Sequence, residues 1–234
     1  MNKLIVESKN DTAFVKALVK HINANAEVEE ISIIEEFEDL GVGLSEQRLT
    51  DKISDVLDEV RKKDIQKVGI LLDLDKETVE NRIALVNKCL KKALLDKGFE
   101  KNTEGVLLIN SFSKIKIDDV TDVEFACYFT NVDGEGELET VLKKIKNQNS
   151  DYADCLESWR DCLNEKGKSV KNKEFDKFWI SNYIRFDTCS NTDKGQAERK
   201  CSMQNFDYVL ENKPIFNLDN ALLSDLKSFL KLFN

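Results

Sequence analysis

The sequence KLIVE at residues 3–7 and the sequence VGILLDLD at residues 68–75 give the first indication of the architecture of this chain. Each begins with a short run of mainly branched apolar residues and ends in acidic residues. Runs of this kind are typical of strands that are buried on both faces of a parallel sheet. Such sheets bind their ligands outside the carboxyl ends of the strands. We therefore expect a functional site where these two stretches end.

Four acidic side chains follow the two predicted strands. Glu7 and Asp11 come after the first strand, and Asp73 and Asp75 come after the second. If the strands are neighbours, the four carboxylates converge, and their mutual repulsion favours the binding of a divalent cation. Asp11 has a second interpretation, because an Asp after a strand often caps the following helix. The pattern predicts a divalent-metal site and leaves the role of Asp11 open.

Strand-like and helix-like patterns alternate along the first part of the chain. This alternation predicts an α/β fold with a mainly parallel sheet and helices on both faces. From residue 136 onward helical spacing dominates, so we expect one domain over residues 1–234, with a core at 1–135 and a helical extension at 136–234. The predicted strands are residues 3–6, 30–37, 68–72, 105–110, 115–117 and 123–129. The predicted helices are residues 14–23, 45 or 50 to 60, 77–97, 138–145, 152–163, 175–186 and 222–233.

The composition is that of a globular protein, with 41% hydrophobic and 34% charged residues among 234. No stretch approaches the ~20 apolar residues needed to span a bilayer, and the N-terminus lacks a signal-peptide pattern. We therefore expect a cytoplasmic protein without a membrane partner. The net charge of −9 argues against a protein that holds nucleic acid by broad electrostatics. Residues 166–200 are locally basic and could form either a basic rim or a solvated helical face.

Cysteine, histidine and tryptophan each exclude or favour a type of site. The six cysteines contain no C-x-x-C pair, which argues against zinc-ribbon and thioredoxin-like sites; we expect buried free thiols in a reducing cytosol. The polar segment 188–202 is predicted to be a mobile loop.

The single histidine, His21, is predicted to lie on a helix surface, where it takes no part in Ser-His-Asp chemistry. Trp159 and Trp179 are expected to pack against the sheet rather than to stack on bases.

The acidic pattern resembles the Toprim superfamily, in which one strand ends in Glu and a later strand ends in Asp-x-Asp. It is similar in particular to a family of stand-alone Toprim-like proteins of unknown function, whose V-E-G-x-x-D start corresponds to residues 6–11 here. The later matches are G-x-L-E-x-x-L at residues 136–142, D-K at 176–177 and L-K-x-F-L at 226–230. Ser8 replaces the usual glycine, and no glycine follows Asp75. Both departures affect how closely a phosphate can approach the backbone.

The resemblance implies a Toprim/Rossmann-like fold and metal-dependent phosphodiester chemistry. Toprim domains occur in topoisomerases, primases, an RNA-maturing ribonuclease and OLD-type nucleases linked to phage defence. The implied cofactor is Mg²⁺ or Mn²⁺, because magnesium prefers carboxylate, water and phosphate oxygens. Two such ions can stabilise both the attacking and the leaving oxygen of an in-line displacement. The leading hypothesis is a Mg²⁺-dependent nuclease, or a related phosphoryl-transfer enzyme, that acts on DNA or RNA and could have a protein partner such as an ATPase.

The resemblance also implies a role for each candidate site residue. The implied metal ligands are Glu7, Asp11, Asp73, Asp75 and Glu139. Glu7 could act as a general base instead of a ligand, and Lys177 is the candidate for stabilising negative charge on the transferred phosphate. For Glu139 and Lys177 the alternative is a solvated charge on a helix.

Two further functions stay open at this point. The chain could be a Toprim-like module without catalysis that serves as a partner-binding or regulatory subunit, which Ser8 and the net negative charge both allow. It could also be an aspartyl-phosphate phosphatase or receiver-like domain, since Asp-x-Asp after a strand suits a phosphorylated aspartate. The usual nucleophile of such phosphatases follows the first strand, whereas this Asp pair follows the third predicted strand.

Overall fold

A mainly parallel sheet forms the centre of the protein. The computed structural model describes residues 1–31, 44–99, 107–117 and 121–234. The strands in these ranges are β1 (Asn2–Val6), β2 (Glu27–Glu30), β3 (Lys67–Asp73), β4 (Ser113–Lys116) and β5 (Asp122–Thr130). They form one sheet in the order β2-β1-β3-β5-β4, in which only β4 is antiparallel to its neighbour. The predicted α/β class is confirmed.

Helices follow most of the strands and make up nearly all of the C-terminal half. The α-helices among the described residues are α1 (Lys9–Ile22), α2 (Glu46–Lys63), α3 (Val79–Asp96), α4 (Leu138–Lys144), α5 (Asp151–Glu165), α6 (Asn172–Asn182), α7 (Ala197–Lys200), α8 (Phe206–Asn212) and α9 (Ser224–Lys231). A π-helical turn, Tyr183–Asp187, continues α6. Ser8, Ser45 and Thr78 begin the first three helices, because each hydroxyl accepts a backbone N–H of the first turn.

The sheet is covered on both faces. Successive side chains of a strand point to opposite faces, so in β1 Leu4 and Val6 belong to one core and Ile5 belongs to the other. The first core is shared with α1 and with the helices after residue 136, whereas the second is shared with α2 and α3. This arrangement explains why the runs 4–6 of β1 and 68–72 of β3 contain no polar side chain.

The C-terminal helix packs directly on the sheet because Gly69 has no side chain. A Cβ atom at Gly69 would lie 2.5 Å from the Phe233 ring and 2.6 Å from Leu4. The same core contains Phe229, which stacks on Tyr128 of β5 at 5.5 Å between ring centroids. The helices after residue 136 therefore share a core with the sheet.

Two predicted strands fall partly outside the described residues. Of the strand predicted at 30–37, residues 32–37 lie outside them, and the strand that the structure shows, β2, begins earlier at Glu27. Of the strand predicted at 105–110, residues 105 and 106 lie outside them. Within residues 107–110 only Leu108 and Ile109 pair, each in an isolated bridge rather than in a strand.

The segment 188–202 is ordered by short helices and a disulfide. Cys189 and Cys201 are bonded, with their Cα atoms 5.6 Å apart, so the predictions of a mobile loop and of free thiols are wrong here. Their spacing in the sequence matches no known motif and so did not predict the bond. The turns between them bring the two residues together. Cys155 and Cys162 are free but exposed, which also contradicts the expectation. Cys89 and Cys127 are buried free thiols, as predicted.

The tryptophans differ in their environments. Trp179 is fully buried, as expected, whereas the prediction for Trp159 is wrong, since its side chain is 42% exposed and contacts Phe178. His21 lies on the surface of α1, 2.7 Å from a carboxylate oxygen of Asp219. In the described ranges no helix combines the length and the apolarity that crossing a membrane requires.

Candidate functional site

Adjacent parallel strands place Glu7 beside Asp73. Val6 of β1 pairs with Leu71 of β3, so both strands end at the same edge of the sheet. The Glu7 carboxylate accepts a hydrogen bond from the backbone N–H of Asp73 at 3.3 Å. Burial raises the pKa of Glu7, and the negative charge of Asp75 raises it further, while the bond from Asp73 opposes the change.

Asp11 lies inside the protein in the first turn of α1. Ser8, rather than Asp11, is the residue that caps this helix. The Ser8 hydroxyl donates to the Asp11 carboxylate at 2.5 Å. Asp11 is only 4% exposed, and burial raises its pKa to about 7; the Ser8 hydrogen bond opposes this, and the charges of Glu7 and Glu139 add to it. The side chain is therefore an inward-facing carboxyl group close to other acids.

Asp73 is the most central of these carboxylates. It ends β3, is 7% exposed, and accepts the backbone N–H of Leu138 at 3.2 Å. Burial raises its pKa well above the ordinary value, and the charges of Asp11 and Glu7 raise it further. The charges of Glu139 and Glu137 act in the same direction. Asp73 thus lies within electrostatic reach of acids from two other parts of the chain.

The loop after β5 brings in Glu137 and Glu139. Asp75 and Gly136 exchange two backbone hydrogen bonds, of 2.8 and 2.9 Å, which hold this loop against the end of β3. Gly136 has a φ of 97°, which a residue with a side chain rarely adopts. The following residues, Glu137 and Glu139, are 3% and 7% exposed. The alternative of a solvated charge therefore fails for Glu139.

Glu137 is a site residue that the sequence analysis missed. One carboxylate oxygen pairs with Lys173 at 2.7 Å, while the other, Oε1, is buried and has no hydrogen-bond partner among the residues that the structure describes. Burial raises the pKa of Glu137 to about 7, the charge of Glu139 adds to this, and Lys173 opposes it. The only signal in the sequence was its place between the glycine and the glutamate of G-x-L-E-x-x-L.

Asp75 reaches the same edge but has two cationic partners. Its carboxylate is paired with Arg82 of α3 and, at 2.9 Å, with Lys173 of α6. Lys177 is exposed, and it acts on the cluster through its charge, which lowers the pKa of Glu137. Lys173, rather than Lys177, is the lysine that touches the acids.

The carboxylates converge without forming a ready ligand set. Across the ranges that the structure describes, no group of three or more His, Cys, Asp or Glu side chains is arranged to hold a metal ion. Glu7, Asp11 and Asp73 each accept a hydrogen bond from the protein instead. The roles of the five predicted metal ligands and of Lys177 stay predictions.

A groove of about 770 Å³ adjoins the acids. Asp75 and Glu137 form part of its wall, together with the backbone of the loop after β5. Its cationic lining residues are Lys76, Arg82, Lys143, Lys144, Arg160, Lys171 and Lys173. Its acidic lining residues are Asp75, Glu77, Asp133, Glu135, Glu137 and Asp176, so the groove is lined by charges of both signs.

Comparison with known proteins identifies one family. The model of the family described as "Protein of unknown function (DUF3226)" matches residues 1–234. Neither the curated proteins nor the solved structures contain a match.

Proposed function

The chain belongs to the DUF3226 family, and we propose that it is a Mg²⁺-dependent phosphoryl-transfer enzyme, specifically a nuclease that cleaves a phosphodiester bond of DNA or RNA. The relationship to the Toprim superfamily is part of this proposal. It rests on one observation: Glu7, Asp11, Asp73, Glu137 and Glu139 lie within electrostatic reach of one another where β1 and β3 end. Of these five, only Glu137 has an ion-pair partner among the described residues, Lys173, and buried carboxylates without a counter-ion are unfavourable.

The chemistry of these residues suits a hard divalent cation. Magnesium and manganese are bound by carboxylate oxygens, and Glu137 Oε1 is a buried oxygen that lacks any donor. A bound cation would replace the protons that the raised pKa values of Asp11, Asp73 and Glu137 favour. We assign Glu7, Asp11, Asp73 and Glu139 as the residues that would hold it, with Glu137 as a further ligand.

The remaining residues fit roles in handling a phosphodiester. The cation would supply charge stabilisation for a phosphate group and a more acidic bound water. Lys177 and the lysines of the groove would bind phosphate oxygens. As the alternative to its role as a ligand, Glu7, whose pKa is raised by burial, would act as the general base that accepts a proton from the attacking water. Arg82 and Lys173 would fix Asp75, and with it the loop that contains Glu137.

A metal titration with matched variants tests the metal site. Isothermal titration of Mn²⁺ and of Mg²⁺ into the wild type should show binding that Asp73→Asn and Glu139→Gln remove. Glu80→Gln is the control, because Glu80 and Glu139 are both the second residue of a helix, but Glu80 is exposed. If Asp73→Asn binds metal like the wild type, the proposal is wrong.

A cleavage assay tests the reaction. Single- and double-stranded DNA and RNA incubated with the protein and Mn²⁺ should be cut by the wild type and by Glu80→Gln, and not by Asp73→Asn. Chelation with EDTA should stop the cleavage.

The ion pairs of Asp75 favour one second candidate function. A residue of the Asp-x-Asp motif that already has two cationic partners is less available to a metal ion, as expected of a module that has lost catalysis and binds a protein partner such as an ATPase. Metal binding at Asp73 without cleavage of any of the four substrates would support this function over the nuclease.

A further inference from the structure

Four large aromatic side chains are exposed together on one side of the C-terminal helices. Tyr152 and Trp159 of α5 are 65% and 42% exposed, and Phe178 and Phe186, in α6 and its π-helical continuation, are 45% and 55% exposed. Trp159 contacts Phe178 with ring centroids 5.6 Å apart, and Tyr152 contacts Phe186 at 6.0 Å. We call these four residues the aromatic face; among the described residues no other aromatic side chain is so exposed.

Core packing does not explain the aromatic face. Trp179, next in sequence to Phe178, is fully buried and stacks on Tyr183 at 5.3 Å. The helix thus places one aromatic residue in the core and its neighbour in solvent. Exposed aromatic pairs that the core does not use are candidates for a binding site. Tyr152 and Trp159 are seven residues apart, so the two aromatic pairs are separated by about 10 Å along α5.

The charges beside the aromatic face favour an anionic ligand. Lys171, Lys177 and Arg185 are exposed, and none of them has an ion-pair partner in the part of the chain that the structure describes. The acids of the same segment are mostly occupied: Asp176 binds a threonine and a lysine of α4, and Asp187 accepts two backbone N–H groups at the start of α5. The free cations therefore dominate along α6.

The outer side of α5 has the opposite charge. Asp151, Asp161 and Glu165 are exposed there, and Glu174 is the exposed acid of α6. A polyanion would therefore lie along α6, with its bases turned toward the aromatic rings, rather than along α5.

A residue next to the aromatic face lines the groove beside the carboxylates. Arg160 follows Trp159 in the sequence, lines that groove and stacks on Phe175 at 4.0 Å. Phe178 and Phe186 line a second cavity of about 710 Å³, together with Arg185 and the acid Glu198. Arg160 therefore connects the α5 side of the aromatic face with the groove.

We propose that the aromatic face binds single-stranded nucleic acid, with bases stacked on Trp159 and Phe178 and phosphates bound by Lys171, Lys177 and Arg185. Aromatic platforms beside free cations are the arrangement that binds single strands without reading their sequence. The inference deepens the proposed nuclease function and rests on it for the identity of the strand as substrate. It assigns the substrate class, a single strand that enters the groove from the α6 side.

Binding of a labelled oligonucleotide in EDTA tests this inference separately from cleavage. The probes are labelled oligothymidylate and oligouridylate of about 16 nucleotides. Their binding is measured by fluorescence anisotropy at low salt. Trp159→Ala should weaken binding about tenfold or more, since one stacked base contributes a factor of this order. Trp159→Phe should retain most of the affinity. Leu95→Ala is the control, because Leu95 is 43% exposed on α3, on the opposite face of the sheet.

The salt dependence tests the phosphate contacts. Each lost contact should reduce the slope of log K against log salt by about 0.7 for a single strand, so Lys177→Ala and Arg185→Ala should each flatten it. Lys91→Ala, an exposed lysine of α3, should not. Equal slopes for all three variants would contradict the assignment.

Three results would overturn the inference, and each is distinguishable from failure of the metal site. The first is wild-type affinity in Trp159→Ala, and the second is no binding of either probe. The third is a dimer in light scattering that Trp159→Ala converts to a monomer, which would show that a second copy covers the face. Asp73→Asn should bind the probes like the wild type. If Asp73→Asn also binds metal like the wild type, the nuclease proposal fails while strand binding through Trp159 stands.

Discussion

Replacing Asp11 by Asn should stabilise the metal-free protein. The pKa of Asp11 is raised from 3.8 to about 7, chiefly by burial. At about pH 8 the side chain is ionised in both the folded and the unfolded state. Because one pH unit between the two pKa values corresponds to about 1.4 kcal/mol, ionisation lowers the free energy of unfolding by about 4 kcal/mol. Asparagine has nearly the same shape, can still accept the Ser8 hydroxyl, and carries no charge.

The sign of the pH dependence follows from the raised pKa. Below about pH 4 both states hold the proton, and between about pH 4 and 7 only the folded state does, so stability falls as the pH rises through this window. At about pH 5 the free energy of unfolding is about 2 kcal/mol lower than below about pH 4, because only the unfolded state is ionised there. The gain from Asp11→Asn should therefore shrink from about 4 kcal/mol at about pH 8 to about 2 kcal/mol at about pH 5.

Urea unfolding in EDTA at the two pH values measures both gains. Asp207→Asn is the control, since Asp207 is an exposed acid in the first turn of α8, and its removal should cost at most about 1 kcal/mol through the helix dipole. A gain that is equal at both pH values, or a loss at about pH 8, would refute the electrostatic reasoning and show that Asp11 stabilises the fold.

Three other changes have measurable outcomes. Mn²⁺ at about 100 times its Kd should raise the melting temperature by about 5–10 °C, and differential scanning calorimetry should show no such rise in Asp73→Asn. Lys173→Met should lower the free energy of unfolding by about 1–3 kcal/mol, because Glu137 is left buried without a partner; Glu137→Gln in the same chain should restore part of this in urea unfolding, and no recovery would contradict the pairing. Reduction of the Cys189–Cys201 disulfide, or Cys189→Ser, should cost about 3 kcal/mol for a loop of this length; identical urea midpoints with and without reductant would show that the bond contributes nothing.

The sequence predicted the edge of the sheet at which the acids meet. Each strand can be predicted from its own apolar run, and the acid at its end follows directly in the sequence. This holds for β1 with Glu7 and for β3 with Asp73. The neighbouring position of the two strands required only the parallel α/β class. Burial of Glu137 could not be predicted in this way, because it depends on the packing of α4 against α6 and on the turn at Gly136.

The partners of Asp75 and the exposure of Trp159 could not be predicted from the sequence either, because both depend on packing between distant elements. Arg82 lies seven residues after Asp75 and Lys173 lies far along the chain, and no spacing rule connects either to a strand end. The helical pattern around Trp159 is that of a buried face, but the side chain opposite it, Phe178, is itself exposed. Both features follow from contacts between distant elements.

Asp75 and Asp73 differ in whether their charge is balanced by cationic side chains. The charge of Asp75 is balanced by two cations, and removal of a partner would leave it unsatisfied, which is the behaviour of a residue that holds the fold together. Asp73 has no cationic partner among the described residues; its contact is one backbone N–H, and its environment favours the protonated acid. Lys173 joins the two parts, because it touches Asp75 and Glu137 while its side chain is 45% exposed. If the proposed cation binds among Asp73, Glu137 and Glu139, this exposure leaves Lys173 room to turn outward; in the structure it pairs with both Asp75 and Glu137.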